Sequence, residues 1–135
     1  MRFLSIYKAK ETNTPPSLEE MARMEKLIEE SMKSGVLVAT EGCLPSALGA
    51  RVRRAGGKVT VTDGPFTESK ELVAGFALLE VSSKEQAIEE TRKFLEVVGE
   101  GECEIRQIFT ASDPGSCHPA EHHAELKDQF AKSGV

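Results

Sequence analysis

The chain of 135 residues lacks several things, and each absence narrows what it can be. No apolar run approaches the ~20 residues needed to span a bilayer. The opening Met1-Arg2-Phe3-Leu4-Ser5-Ile6-Tyr7-Lys8 turns polar too soon to serve as a secretory signal. No membrane association is expected, and the expected location is cytoplasmic. There is no excess of basic residues: the formal net charge is −5, and Lys and Arg are scattered apart from Arg51, Arg53 and Arg54. Such a chain has no long-range attraction for a polyanion, so nucleic acid is not an expected partner. Three cysteines, Cys43, Cys103 and Cys117, form no CxxC pair and are odd in number, so they read as free thiols.

What is present is ordinary for a soluble globular domain: 39% hydrophobic and 29% charged residues, at a length that can bury one core unaided. Residues 2–8 alternate and read as a first strand. Ser17-Leu18-Glu19-Glu20 is a capping box, and Leu18, Met21, Ile28 and Met32 then recur at helical spacing up to a cap at Gly35. Val36 to Thr40 forms a second strand, and Glu41 to Ser46 is irregular. Ala47–Arg54 and Lys58–Thr62 flank the hairpin signal Ala55-Gly56-Gly57. Val73–Val81 is a long apolar strand. Ser82-Ser83-Lys84-Glu85 opens a second helix, with Ser82 as the expected cap and Gly99 as its end. Cys103–Phe109 is the last strand, and Pro119 opens a final helix carrying Leu126 and Phe130.

Strand, helix, strand, hairpin, strand, helix, strand, helix is an α+β order. It predicts the ferredoxin-like split βαβ arrangement, an antiparallel sheet with helices on one face, plus an extra C-terminal helix. The chain divides into a domain over residues 1–110 and an extension over 111–135. Apolar side chains from 36–40 and 73–81 must reach both sheet faces. The face without helices then needs a cover, and a homodimer packed through the sheet face supplies one.

Between the hairpin and the apolar strand lies Asp63-Gly64-Pro65-Phe66. Asp63 can accept hydrogen bonds from backbone N–H groups of the turn, Gly64 permits unusual φ, and Pro65 fixes its own. The stretch Lys58-Val59-Thr60-Val61-Thr62-Asp63-Gly64-Pro65-Phe66-Thr67-Glu68-Ser69-Lys70-Glu71, followed by Gly75-Phe76, resembles the signature of the YCII-related proteins, in particular the DGPF subgroup. The opening strand, Gly35-Val36-Leu37 and Glu41-Gly42-Cys43-Leu44-Pro45 fit the same layout, over roughly residues 1–110. The resemblance implies a dimeric α/β barrel, with a pocket between sheet and helices in each subunit. Related barrels include cofactor-independent monooxygenases, muconolactone isomerase and haem-degrading enzymes. DGPF-type proteins also resemble components found alongside alternative sigma factors.

The resemblance places Asp63 at the Asp of a suggested His–Asp catalytic pair. No histidine occurs between Met1 and Cys117, so that pair is not available in the core domain. Asp63 is therefore the expected catalytic carboxylate, acting as base or acid without a cofactor if its pocket is apolar. Glu41, Phe66, Lys70 and Phe76 are the expected substrate-binding residues around a small molecule. A non-catalytic sensing module is the alternative. Arg51 and Arg53 share a strand face, which suits a charged edge strand better than an anion patch. His118 and His122 stand four apart, a spacing compatible with zinc on a helix. A site needs a third ligand, so no metal is expected.

Overall fold

A computed structural model describes residues 1–110, 113 and 127–132. Its elements are β1 (Arg2–Ala9), α1 (Leu18–Lys33), β2 (Leu37–Gly42), β3 (Ala50–Ala55), β4 (Lys58–Asp63), β5 (Leu72–Glu80), α2 (Lys84–Val98) and β6 (Glu102–Gln107). A 3-10 turn over Ser46–Leu48 precedes β3, where strand was expected from Ala47 onward. Residues 127–132 are helical and exposed; Cys117, His118, Pro119, His122, His123 and Leu126 lie outside the described residues.

The main sheet has four strands in the order β2-β5-β1-β6, and every neighbouring pair is antiparallel. β1-α1-β2 and β5-α2-β6 are thus two interleaved crossover units, which is the expected ferredoxin-like α+β arrangement. β3 and β4 form a separate hairpin inserted between β2 and β5. Among the described residues no helix is long and apolar enough to cross a membrane.

Local signals explain the helix ends. The Ser17 side chain accepts a hydrogen bond from the Glu20 backbone N–H at 3.1 Å, as the capping box requires. For α2 the cap is Ser83, not Ser82. Ser83 Oγ accepts from the Gln86 N–H at 3.1 Å, while Gln86 Oε1 reaches back to both the N–H and hydroxyl of Ser82. Two adjacent serines made the register ambiguous, and the glutamine three residues after Ser83 decides it.

Alternation along the sheet sorts side chains between two faces. Phe3, Ser5 and Tyr7 of β1 face the helices: Ser5 Oγ lies 3.5 Å from Thr91 Oγ1, and the Tyr7 and Phe94 rings meet edge to face. Directly opposite them on β5 stand Leu79, Ala77 and Gly75. The core gathers at the Phe3 end, where Phe3, Leu79, Val81 and Ala87 are buried, flanked by Val36, Leu37, Ala77 and Ile105. Full burial of a side chain of this kind stabilises by about 1.5–3 kcal/mol. α2 contributes the buried Ala87 and Thr91, whereas α1 buries no residue to the same degree.

The other sheet face carries no helix. Leu4, Ile6, Ala39, Phe76 and Leu78 occupy its centre by register, with Phe76 and Val73 exposed. Ion pairs edge it: Arg2–Glu80 at 3.3 Å, Lys8–Glu104 at 3.1 Å and Arg106–Glu104 at 3.4 Å. Lys8 holds the half-exposed Glu104 carboxyl below its ordinary range, with Arg106 assisting.

The cap assignment is testable by urea unfolding. Ser83→Ala is expected to lower stability by about 1 kcal/mol, the usual cost of a lost N-cap. Ser82→Ala, whose backbone N–H still donates to Gln86 Oε1, should cost less than half as much.

Candidate functional site

Two regions carry the features picked out from the sequence: the turn at Asp63 and the layer between sheet and helices. At the turn, β4 ends at Asp63 and the Gly64–Pro65 peptide is cis. Gly64 is required, though not for an unusual φ as expected, since it does not adopt a positive one. A Cβ on Gly64 would sit 1.7 Å from the Ser46 carbonyl oxygen. Glycine is here the only residue that allows the two backbones to touch.

Ser46 is the centre of this contact. Its hydroxyl donates to Glu11 Oε2 at 2.8 Å and accepts from the Phe66 N–H at 3.1 Å, while its own N–H donates to Glu11 Oε1. The Gly64 N–H reaches the Gly49 carbonyl at 3.0 Å. One buried serine thus ties together the segment after β1, the 3-10 turn and the turn after β4. Phe66 is held from its other side by Arg51, whose guanidinium lies 3.9 Å from the ring centroid. Arg51 also pairs with Glu68 and donates to Ser69. The exposed Glu68 carboxyl lies below its ordinary range through a backbone hydrogen bond and the Arg51 contact.

The second region is a cavity of about 390 Å³, partly open to solvent and lined by residues of β1, β2, β5, α1, α2 and β6. Its existence follows from side-chain size. Passing along the helix-facing row from Phe3/Leu79 to Ser5/Ala77 to Tyr7/Gly75, the β5 side chains shrink to nothing, so the layer that is filled at one end opens at the other. Gly75 cannot grow, because an added Cβ would lie 2.8 Å from the Glu41 carbonyl oxygen on β2. Met24, Leu27 and Ile28 of α1 roof the open end, which explains why α1 buries none of its residues fully.

Polar groups in this apolar chamber are few. They include the hydroxyls of Ser5, Tyr7, Thr40 and Thr91, the Cys103 thiol and the Glu90 carboxylate. Tyr7 donates to the Glu100 carbonyl at 2.8 Å, and Thr40 donates to the Phe76 carbonyl at 2.9 Å. Burial pushes the Cys103 thiol up, opposed in part by a hydrogen bond with Ser5 and reinforced by Glu102. Burial likewise raises the Tyr7 hydroxyl, with Cys103, Glu20 and Glu71 adding negative charge nearby.

The structure separates the expected site residues. Glu41 and Phe76 border the cavity, and their mutual pairing puts their side chains on the sheet face away from the helices. Glu41 belongs to β2, not to an irregular loop. Asp63 and Lys70 are exposed, Phe66 is half-buried in the turn, and none of the three is among the residues enclosing the cavity. Ser5, Tyr7, Thr40, Glu90, Thr91 and Cys103 do line it, and no motif marks them. The available signal was the run of small residues Ala74, Gly75 and Ala77 within an otherwise bulky strand.

Residues 1–112 match the YCII-related domain. The chain belongs to the YCII-related family. One relative is an uncharacterised protein of Rhizobium meliloti (strain 1021), 33% identical over 61 residues, or 45% of this chain and 49% of that protein. The match therefore spans about half the length of that relative. In this YCII-related chain the Asp63 turn forms a backbone junction, and the cavity lies between the layers.

That division predicts opposite behaviour for two substitutions in chemical unfolding. Ser46→Ala should cost about 1–3 kcal/mol, because the Phe66 N–H and the Glu11 carboxylate both lose a partner in a half-enclosed place. Asp63→Asn, at an exposed strand end, should change stability by no more than about 0.5 kcal/mol. A large loss from Asp63→Asn would give that carboxylate a structural part that its exposure argues against.

Proposed function

We propose that this YCII-related domain binds a small, largely apolar molecule in the cavity between its sheet and helices. The observation that carries the reading is the cavity itself. Space of about 390 Å³ survives beside a small but closed core, walled by Met24, Leu27, Ile28, Leu37 and Leu79 with a handful of hydroxyls. Ligand sites have this make-up: apolar walls with a few polar groups that fix orientation. An unfilled gap of that size would otherwise forfeit packing that a few larger side chains could supply.

Binding is a better-supported role than proton transfer by Asp63. A general base has to reach the proton it takes, and desolvation is what would raise a carboxyl toward neutrality. Asp63 is exposed and outside the cavity lining, so the carboxylate at the DGPF-like turn has neither condition. A ligand-sensing module therefore fits this geometry better than cofactor-free catalysis at the turn. Phe66 then belongs to the junction, Lys70 stays exposed beside it in sequence, and Glu41 and Phe76 supply backbone at the chamber's edge.

We also propose a homodimer joined through the helix-free sheet face. Two features support it: the apolar centre of that face with its charged edge, and the β3–β4 hairpin. Val52 pairs with Val61, and Arg54 with Val59, on one hairpin face, and all three valines are more than half exposed. An apolar face of this extent is what a two-fold, self-complementary interface covers.

A thermal-shift screen against a metabolite library tests the binding reading, since a ligand selective for the native state raises its apparent stability. At least one apolar compound should raise the melting temperature of the natural protein. Ser31→Phe, which puts a ring into the chamber from α1, should abolish that shift while the variant stays folded by circular dichroism. A library that shifts neither protein would remove the reading. For the dimer, light scattering at micromolar concentration should give twice the 14.7 kDa chain mass, and Phe76→Lys should halve it. A monomeric natural protein would exclude this interface.

A further inference from the structure

We infer that the cavity selects an organic cation, an apolar amine in preference to a carboxylate or a phosphate ester. The inference rests on the reading of the cavity as a ligand site and names the class of molecule that site would take. Its basis is the charge of the lining. No lysine, arginine or histidine side chain lines the chamber among the described residues. An anionic ligand entering it would leave water without meeting a counter-charge, which is the costly case of charge burial.

A cation meets two complementary groups. Glu90 lines the chamber from α2 with a side chain that is only 15% exposed. Lys93, less than a turn further along α2 and half exposed, engages its Oε1 at 3.2 Å. Glu90 Oε2 has no hydrogen bond among the described residues, so one carboxylate oxygen remains to receive an ammonium group. The second group is the pair of rings Tyr7 and Phe94, set edge to face with centroids 5.1 Å apart. Aromatic faces attract cations, most strongly where water is excluded. Glu20 and Glu71 add negative potential around Tyr7, which is part of why its hydroxyl is held above its ordinary range after burial itself. The hydrocarbon body of such an amine has Met24, Leu27, Ile28 and Leu37 to lie against.

Three probes of nearly one shape separate the possibilities in isothermal titration calorimetry: tryptamine as the cation, tryptophol as the neutral alcohol, and indole-3-propionate as the anion. Tryptamine should bind about tenfold more tightly than tryptophol, and indole-3-propionate most weakly, the order expected for a charge-assisted contact in a partly dry site. Glu90→Gln should erase the advantage of the amine and leave tryptophol within about twofold of its original affinity. Lys93→Met frees the Glu90 carboxylate and should strengthen tryptamine binding by about threefold, a gain that a damaged fold could not produce. Equal affinity for all three probes, a preference for the acid, or an amine preference that survives Glu90→Gln would overturn the cation selectivity and leave the cavity as a ligand site. Failure of all three to bind either the natural protein or Lys93→Met would remove the ligand site, and the selectivity with it.

Discussion

The feature on which the rest depends is the change in side-chain size along one row of two adjacent strands. Phe3 against Leu79 closes the space between sheet and helices, Ser5 against Ala77 narrows it, and Tyr7 against Gly75 leaves it open. A sheet and two helices of bulky residues would fill this layer to the density usual for protein interiors. Here β5 withdraws its side chains over its N-terminal half, at Ala74, Gly75 and Ala77, and Gly75 is held small by the Glu41 carbonyl beside it. Core and chamber are therefore one construction, and the modest burial of α1 is its consequence.

The Asp63 turn is held by a different constraint. Ser46 satisfies Glu11 through both its N–H and its hydroxyl, and the same oxygen receives the Phe66 N–H. Three segments distant in sequence thereby share one part-buried polar knot. Such knots contribute specificity only when every member is satisfied, and here each named group has its partner. Gly64 is needed because the chain passes against Ser46, and Arg51 lies on Phe66 from the hairpin side. Cation–ring contacts at exposed positions contribute about 0.5–1 kcal/mol, enough to orient Phe66 without dominating the turn.

Much of this fold was legible from residues alone, and the reasons differ by element. Alternation, short apolar runs and helical spacing located the strands of the main sheet and both long helices, because each of these elements has one face committed to the interlayer. Gly56-Gly57 located the hairpin. The α2 cap was misplaced by one residue because Ser82 and Ser83 are chemically equivalent, and only the reach of Gln86 separates them. The cavity was harder. Its polar residues come from β1, β2, α2 and β6, far apart in the chain, and hydroxyls such as Ser5 and Thr91 look like any satisfied side chain until the sheet register brings them together. The Asp63 turn is contiguous in sequence; the chamber is assembled across the fold and has no contiguous mark.

The same alternation that opens the chamber also creates the helix-free face. β1 and β5 each send every second side chain to the helices, so Ile6 and Phe76, or Leu4 and Leu78, are directed to the opposite side as partners in register. Polar residues there would have given the usual half-solvated antiparallel sheet. Instead charge lies toward the margins, at Arg2–Glu80, at Lys8 with β6 and at Glu41 on the edge strand β2, and the centre is left apolar. The two central strands thus hold a floor for the chamber on one face and a surface suited to a second copy on the other. A substitution at Phe76 or Leu78 tests the second without touching the side chains that enclose the first.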